Sequence, residues 1–256
     1  MHTISIAIQK GGSGKTTTAL NLGAALQETG HRVLLADMDP QANLTQSLGI
    51  MEAPSLNMYE LLKQAAWGEP LLVQESVITT TPVPLLPAAL SLADAEMELV
   101  SIYGREQLLT QIIAPLQNDY DFLIIDCPPA VGMLTVNALV ASDHVLMPLQ
   151  AEFLPFKGVQ SFMKHFNLIR KQLNKKLELL GLVLTRYDEH KNMHREIKSA
   201  LQEMYDGKVL DTCIRNNITL AKAQQLGTDI FRLDRTCNGA RDYLHLASEI
   251  LDRIRP

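Results

Sequence analysis

The chain has little cysteine and no arrangement of it that would build a site. Cys127, Cys213 and Cys237 are its three cysteines, far apart in 256 residues and with no Cys-x-x-Cys pair. That pattern excludes a disulfide framework, a zinc site on paired thiolates and an iron–sulfur cluster. No stretch approaches the roughly 18 apolar residues of a membrane-spanning helix, and no low-complexity tract or internal repeat is visible. No signal peptide precedes Met1-His2-Thr3, so a cytosolic location is expected. The last residues, Glu249-Ile250-Leu251-Asp252-Arg253-Ile254-Arg255-Pro256, mix both charges and stop at proline. They do not make a basic amphipathic anchor, and no membrane partner is expected.

What is present is an ordinary globular composition, 46% hydrophobic and 20% charged. A chain of this length buries about three quarters of its unfolded surface when it folds as one domain, here residues 1–256. The net charge of −5 hides an asymmetry: residues 1–150 hold 5 Lys/Arg against 15 Asp/Glu, and residues 151–256 hold 18 against 13. A basic second half in an acidic protein suggests a footprint for a polyanion, although solvated helix faces would give the same counts.

The most informative stretch is Gln9-Lys10-Gly11-Gly12-Ser13-Gly14-Lys15-Thr16-Thr17. It follows the apolar, β-branched run Thr3–Ile8 and precedes helically spaced apolar residues up to Leu26. Strand, glycine-rich loop and helix together form the context of a phosphate-binding loop. Consecutive backbone N–H groups turn inward on a polyphosphate, and the helix N-terminus adds partial positive charge. Lys15 would reach the β- and γ-phosphates, and the Thr16 hydroxyl would ligate Mg²⁺. The ordinary loop would have glycine at position 9, where this chain has Gln9. Lys10, at the mouth, is badly placed to curl onto its own nucleotide and well placed to reach a neighbouring one.

This Lys-Gly-Gly-x-Gly-Lys-Thr-Thr form resembles the deviant P-loop of the ParA/MinD ATPases, and the wider sequence is most similar to ParA/Soj. Two further segments carry the resemblance. Arg32–Asp37 reads as a buried strand ending in carboxylates, and Asp37-Met38-Asp39-Pro40-Gln41-Ala42-Asn43-Leu44-Thr45 resembles the family's switch I. Asp121–Asp126 is a strong strand, and Asp126-Cys127-Pro128-Pro129 resembles Walker B and switch II. The resemblance implies a three-layer α/β/α P-loop fold with a mostly parallel, doubly wound sheet. It also implies two protomers that sandwich two ATP molecules, with Lys10 on the partner's phosphates and Asp39 orienting the attacking water. Asp126 would hold Mg²⁺ through a water, because a buried carboxylate needs a cation. Cys127, with no base beside it, is expected to pack rather than react.

Elsewhere the signals are weaker. Ser55 would cap a helix through about Lys63, Val77–Thr80 reads as a strand, and Pro82, Pro84 and Pro87 break structure around Leu85-Leu86. Ser91 carries a capping signal for a helix to about Val100, and a further helix is expected from Arg105 to Leu116. Strands are expected at His144–Leu149, Leu179–Thr185 and Val209-Leu210, and helices over 156–173 and Lys191–Tyr205. The resemblance places Glu152 near the nucleotide or the dimer seam. It places Asn217 against adenine, where a plain turn asparagine is equally expected.

The activity implied is slow, Mg-dependent ATP hydrolysis by a homodimer that binds DNA non-specifically in the ATP state. A ParB-like partner would stimulate hydrolysis and release it, so that plasmid or chromosome DNA is segregated from a nucleoid-associated pool. Two arginines of the family pattern are Thr219 and His190 here, so DNA contacts are expected instead among Lys191, Arg195, Lys198, Arg215, Lys222, Arg235 and Arg241. A ParA-like positioner of a protein cargo would share every nucleotide residue, and an ATP-gated scaffold without useful turnover would be a third reading.

Overall fold

The computed structural model describes residues 1–151 and 155–255, so Glu152 lies outside the described residues. Seven parallel strands form one sheet: β1 His2–Ile6, β2 Val33–Asp37, β3 Leu85–Leu86, β4 Phe122–Asp126, β5 His144–Gln150, β6 Glu178–Tyr187 and β7 Val209–Arg215. Their spatial order is β3-β2-β4-β1-β5-β6-β7. The chain fills one side of β1 with β2, β3 and β4, then crosses to the other side for β5, β6 and β7. Such a reversal opens a crevice at the strand C-termini beside β1, where open α/β sheets bind ligands.

The early helices are α1 Lys15–Glu28, α2 Asn43–Ser47, α3 Met58–Trp67, α4 Val73–Ser76, α5 Leu92–Glu98 and α6 Leu108–Ile113. The later ones are α7 Met133–Val140, α8 Pro155–Gln172, α9 Asn192–Met204, α10 Ile218–Gln225, α11 Ile230–Asp234 and α12 Asn238–Ile254. They cover both faces of the sheet, which is why the central strands are continuous apolar runs. Leu34 and Ala36 of β2 face one core with Leu123 and Ile125 of β4, beneath α3, α6, α7 and α8. Val33 and Leu35 face the opposite core with Phe122 and Ile124, beneath α1 and α12. The alternation is the two-residue period of a strand buried on both sides.

The region between residues 50 and 105 departs from expectation. Asn57, not Ser55, caps α3, its side chain accepting from the Tyr59 N–H at 3.0 Å. Val77–Thr80 is not a strand; Ile78 makes one isolated antiparallel bridge to Leu85. The strand lies instead at Leu85-Leu86, between the prolines, paired in parallel with Leu35 and Ala36 of β2. Prolines are tolerated there because β3 is at the sheet edge and two residues long. Ser91 precedes α5 but makes no side-chain cap. Strand β7 runs on to Arg215, well past the two residues expected, because it pairs with β6 along its length.

Candidate functional site

The P-loop backbone is shaped by left-handed residues and clamped by two strand tips. Gly12 and Gly14 adopt φ of 71° and 93°, values a side chain at either position would disfavour. The Gln150 side-chain amide, at the end of β5, donates to the Gly12 carbonyl. Thr185, near the end of β6, donates its hydroxyl to the Ser13 carbonyl at 2.9 Å. Tying the carbonyls from outside leaves the loop's N–H groups to turn toward a bound anion. Helix α1 then starts at Lys15 with no side-chain cap, so its first N–H groups also face the crevice.

The charged groups gather around that loop. Lys15 is buried, and its Nζ donates to the Lys10 carbonyl at 3.1 Å. Burial lowers the Lys15 pKa, opposed by the charges of Asp126, Cys127 and Asp39. The Thr16 hydroxyl donates to Asp126 Oδ2 at 2.7 Å. Asp126 is fully buried, and among the described residues its Oδ1 has no hydrogen-bond partner. Burial, reinforced by the charge of Asp37, holds its carboxyl well above the ordinary range. Asp37 is pushed up to about 6, again by burial first, against hydrogen bonds from the Thr45 hydroxyl and from the Thr45 and Asp39 N–H groups. Its hydrogen bonds pin the segment from Asp39 to Thr45 against the end of β2. Asp39 lines the crevice; its Oδ1 accepts from the Gln41 N–H at 3.0 Å, and its carbonyl receives the N–H of Ala42, a left-handed residue with φ 52°.

The crevice has a volume of about 760 Å³, within the range of small-molecule sites. Gly11 to Thr17, Asp39 and Asn217, proposed from the sequence, all line it. Asn217 also caps α10, its side chain accepting from the Thr219 N–H at 2.8 Å, so its turn role is realised whether or not it touches a base. Thr17 points its hydroxyl at Gln224 (3.2 Å), which in turn reaches Ser47, linking the loop to α10 and α2. Sequence reasoning assigned no role to Gln150, Thr185, Arg186, Ile218, Gln224 or Tyr243, which also line the crevice. The first three lie at or near strand C-termini at the ligand edge, and that position is the available signal. Cys127 is buried as expected, and burial and Asp126 push its thiol up to about 12, which disfavours the nucleophilic thiolate.

The donor set fits a hard divalent cation. A buried carboxylate with one unpartnered oxygen stands beside a threonine hydroxyl, and the neighbouring acids outnumber Lys15. Among the described residues no group of three or more acidic, histidine or cysteine side chains could hold a metal unaided. Phosphate oxygens and water must complete such a shell, the usual condition of Mg²⁺ in nucleotide sites.

The basic residues proposed for DNA are mostly engaged. Arg215 forms a forked pair with the buried Asp242 (2.5 Å), and Arg235 pairs with Glu28 on α1. Lys198 donates to the Asp211 carbonyl, Arg195 to Asn192, and Lys191 lies 3.9 Å from Asp188. Lys222 and Arg241 are exposed on α10 and α12 and have no such partner among the described residues. Among the described residues no helix is long and apolar enough to cross a membrane.

A parallel doubly wound sheet, a glycine loop at the switch point and acids on the neighbouring strand tips define a P-loop nucleotide-binding protein with the two-lysine loop. Residues 1–179 match the family model described as an AAA domain. The chain is 39% identical over 248 residues to the sporulation initiation inhibitor protein Soj of Bacillus subtilis, covering 96% of this chain and 97% of that protein. It is 37% identical over 259 residues to the chromosome partitioning protein ParA of Caulobacter vibrioides, covering 100% and 96%. A solved Mycobacterium smegmatis structure, described as cobyrinic acid a,c-diamide synthase with bound ATP analog and magnesium, superposes with a TM-score of 0.86 at 35% identity, covering 98% and 94%. The chain belongs to the ParA/Soj family of partition ATPases.

Proposed function

We propose that this chain binds Mg·ATP in the crevice, closes face to face with a second copy around it, and hydrolyses it slowly. The observation that carries the reading is the convergence of Lys15, Thr16 and Asp126 at the P-loop, with Asp39 on the same crevice wall. Phosphoryl transfer is catalysed by positioning and charge neutralisation rather than covalent chemistry. Lys15 neutralises phosphate charge in cis; burial lowers its pKa in the free protein, and the negative charge of a bound phosphate would favour its protonated form. Thr16 and Asp126 would hold Mg²⁺, which supplies further charge neutralisation when bound. Asp39 accepts a hydrogen bond from the attacking water and aligns it.

Lys10 supplies the missing positive charge to the partner's phosphates, as an arginine finger does. That contribution is worth ~10³–10⁵ in rate. The dimer is then a clock: ATP assembles it and hydrolysis releases it. In the ATP state the basic second half holds DNA without sequence preference, and a ParB-like protein accelerates hydrolysis, returning the chain from the nucleoid to the cytoplasm. Lys10→Ala is the decisive variant. It should keep nucleotide affinity and lose turnover; full ATPase activity in Lys10→Ala, or a wild-type protein that stays monomeric with a non-hydrolysable ATP analogue, would refute the sandwich.

A further inference from the structure

Helix α8 carries a charge pattern that the residues discussed so far do not share. Between Phe153 and Leu177 the sequence has six Lys/Arg and no Asp/Glu, in a protein whose net charge is −5. The inner face of α8 is apolar: Val159, Phe162, Phe166 and Ile169 are buried in the core. Lys164 and Lys171 project from the opposite face, one helical stripe apart by seven residues. Past the helix end, Asn174 fixes the turn by donating to the carbonyls of Leu139, Val140 and Ser142. This presents Lys175 beside Arg170 and Lys171 around a shallow hollow of about 400 Å³.

Two features separate this cluster from an ordinary helix end. Basic residues there complement the helix dipole, and such residues commonly find acids as well. Among the described residues, Arg170, Lys171 and Lys175 have no ion-pair partner, whereas Arg215 and Arg235 do. The second is placement. The beginning of α8 abuts the P-loop mouth, with Ser161 donating to the Gln9 side chain at 2.7 Å. Its 18 residues carry it about 27 Å to the far edge of the sheet, where β5 and β6 begin. The cluster is therefore clear of the edge that closure over a nucleotide would cover.

We propose that the basic end of α8, centred on Arg170, Lys171 and Lys175, is a contact surface for the phosphate backbone of duplex DNA. The inference rests on the DNA-binding reading above and assigns it a surface. An anionic membrane is the weaker occupant, because the apolar face that would enter lipid is already buried in the core. A line of phosphates requires only unpaired cations on a rigid support, and sequence-independent contacts follow.

The test is the triple variant Arg170→Ala/Lys171→Ala/Lys175→Ala, with ATP, on a random-sequence duplex across a salt series. Each lost phosphate contact should flatten the log–log salt slope by about 0.9, a total of roughly 2–3 per protomer, with ATPase activity without DNA and thermal melting unchanged. An unchanged slope in a variant that still binds DNA overturns this surface and leaves DNA binding intact. Wild-type protein that binds no duplex with ATP overturns both. Binding of wild type, but not the variant, to vesicles containing phosphatidylglycerol, with an unchanged DNA slope, overturns it in favour of a membrane.

Discussion

Asp126→Asn tests the electrostatic account of the site without needing turnover. In the free protein the Asp126 carboxyl is fully buried, its Oδ1 has no partner, and Asp37 adds like charge. Burying an ion costs several kcal/mol after relaxation. Asparagine keeps the acceptor for the Thr16 hydroxyl and removes the charge, but places an amide where Oδ1 stood, at a cost of ~1–3 kcal/mol if it stays unpartnered. The net expectation is that the nucleotide-free variant is more stable than wild type by ~1–3 kcal/mol. At about 2–4 °C per kcal/mol for a chain of this size, the melting temperature should rise by roughly 2–12 °C.

The pH dependence follows from the sign of the shift. The folded-state pKa of Asp126 is raised above its ordinary 3.8, so the native state favours the protonated carboxyl. Wild-type stability from this group is present at low pH and is lost as pH rises through the folded value. The advantage of Asp126→Asn should therefore grow toward alkaline pH and shrink toward acid. Asp37, pushed up to about 6, contributes a slope of the same sign between 3.8 and 6, and keeps it in the variant. Melts above pH 6 therefore isolate Asp126. Adding Mg·ADP should shrink the variant's advantage, because a ligand at 100 times its Kd stabilises wild type by ~2.7 kcal/mol and the variant loses the metal-dependent part. Differential scanning fluorimetry with and without EDTA reads all of this. A nucleotide-free variant that melts at or below wild type at alkaline pH would refute the claim that the carboxylate is held at an electrostatic cost.

Two further predictions concern the scaffold. Gly227 and Gly30 both have positive φ (71° and 93°), but a Cβ on Gly227 would meet the Gly49 Cα at 2.8 Å, whereas one on Gly30 meets nothing within 4 Å. Gly30→Ala should cost only the left-handed penalty of ~1–2 kcal/mol, and Gly227→Ala about 1–3 kcal/mol more; equal urea midpoints would contradict the clash. Asp121 is held down to about 2, first by the Arg32 side chain and then by its N–H. That contribution is present above the ordinary carboxylate value and fades as pH falls toward 2, so Asp121→Asn should destabilise at neutral pH and match wild type near pH 2. The pair is exposed, so the loss should stay below ~1 kcal/mol and shrink further in high salt, as urea titrations at both pH values can measure.

The parts of the site legible in the sequence are those whose chemistry is contiguous. Gly11 to Thr17 must be a strand-to-helix turn rich in inward N–H groups, and Asp37 and Asp126 must sit at strand tips because the runs before them have no polar residue to expose. Those runs are apolar on both faces, which requires helices on both sides of a parallel sheet. Legibility fails where a partner is distant in sequence. Leu85-Leu86 is strand only because Leu35 and Ala36 lie beside it, and Val77–Thr80, with better strand propensity, has just one bridge. Asn57 outcompetes Ser55 as a cap because Asn57 is the residue whose side chain reaches the Tyr59 N–H. The charge asymmetry was visible as a count, but which cations are spent was not: Arg215 is claimed by Asp242 and Arg235 by Glu28, pairings fixed by packing α12 and α1 against the sheet. Among the described residues Arg170, Lys171 and Lys175 have no such claimant: α8 ends at the strand-start edge of the sheet, and no described acidic side chain is within ion-pair range of them. A cation's availability is thus a property of the fold, and it directs the search for a polyanion surface to the end of α8.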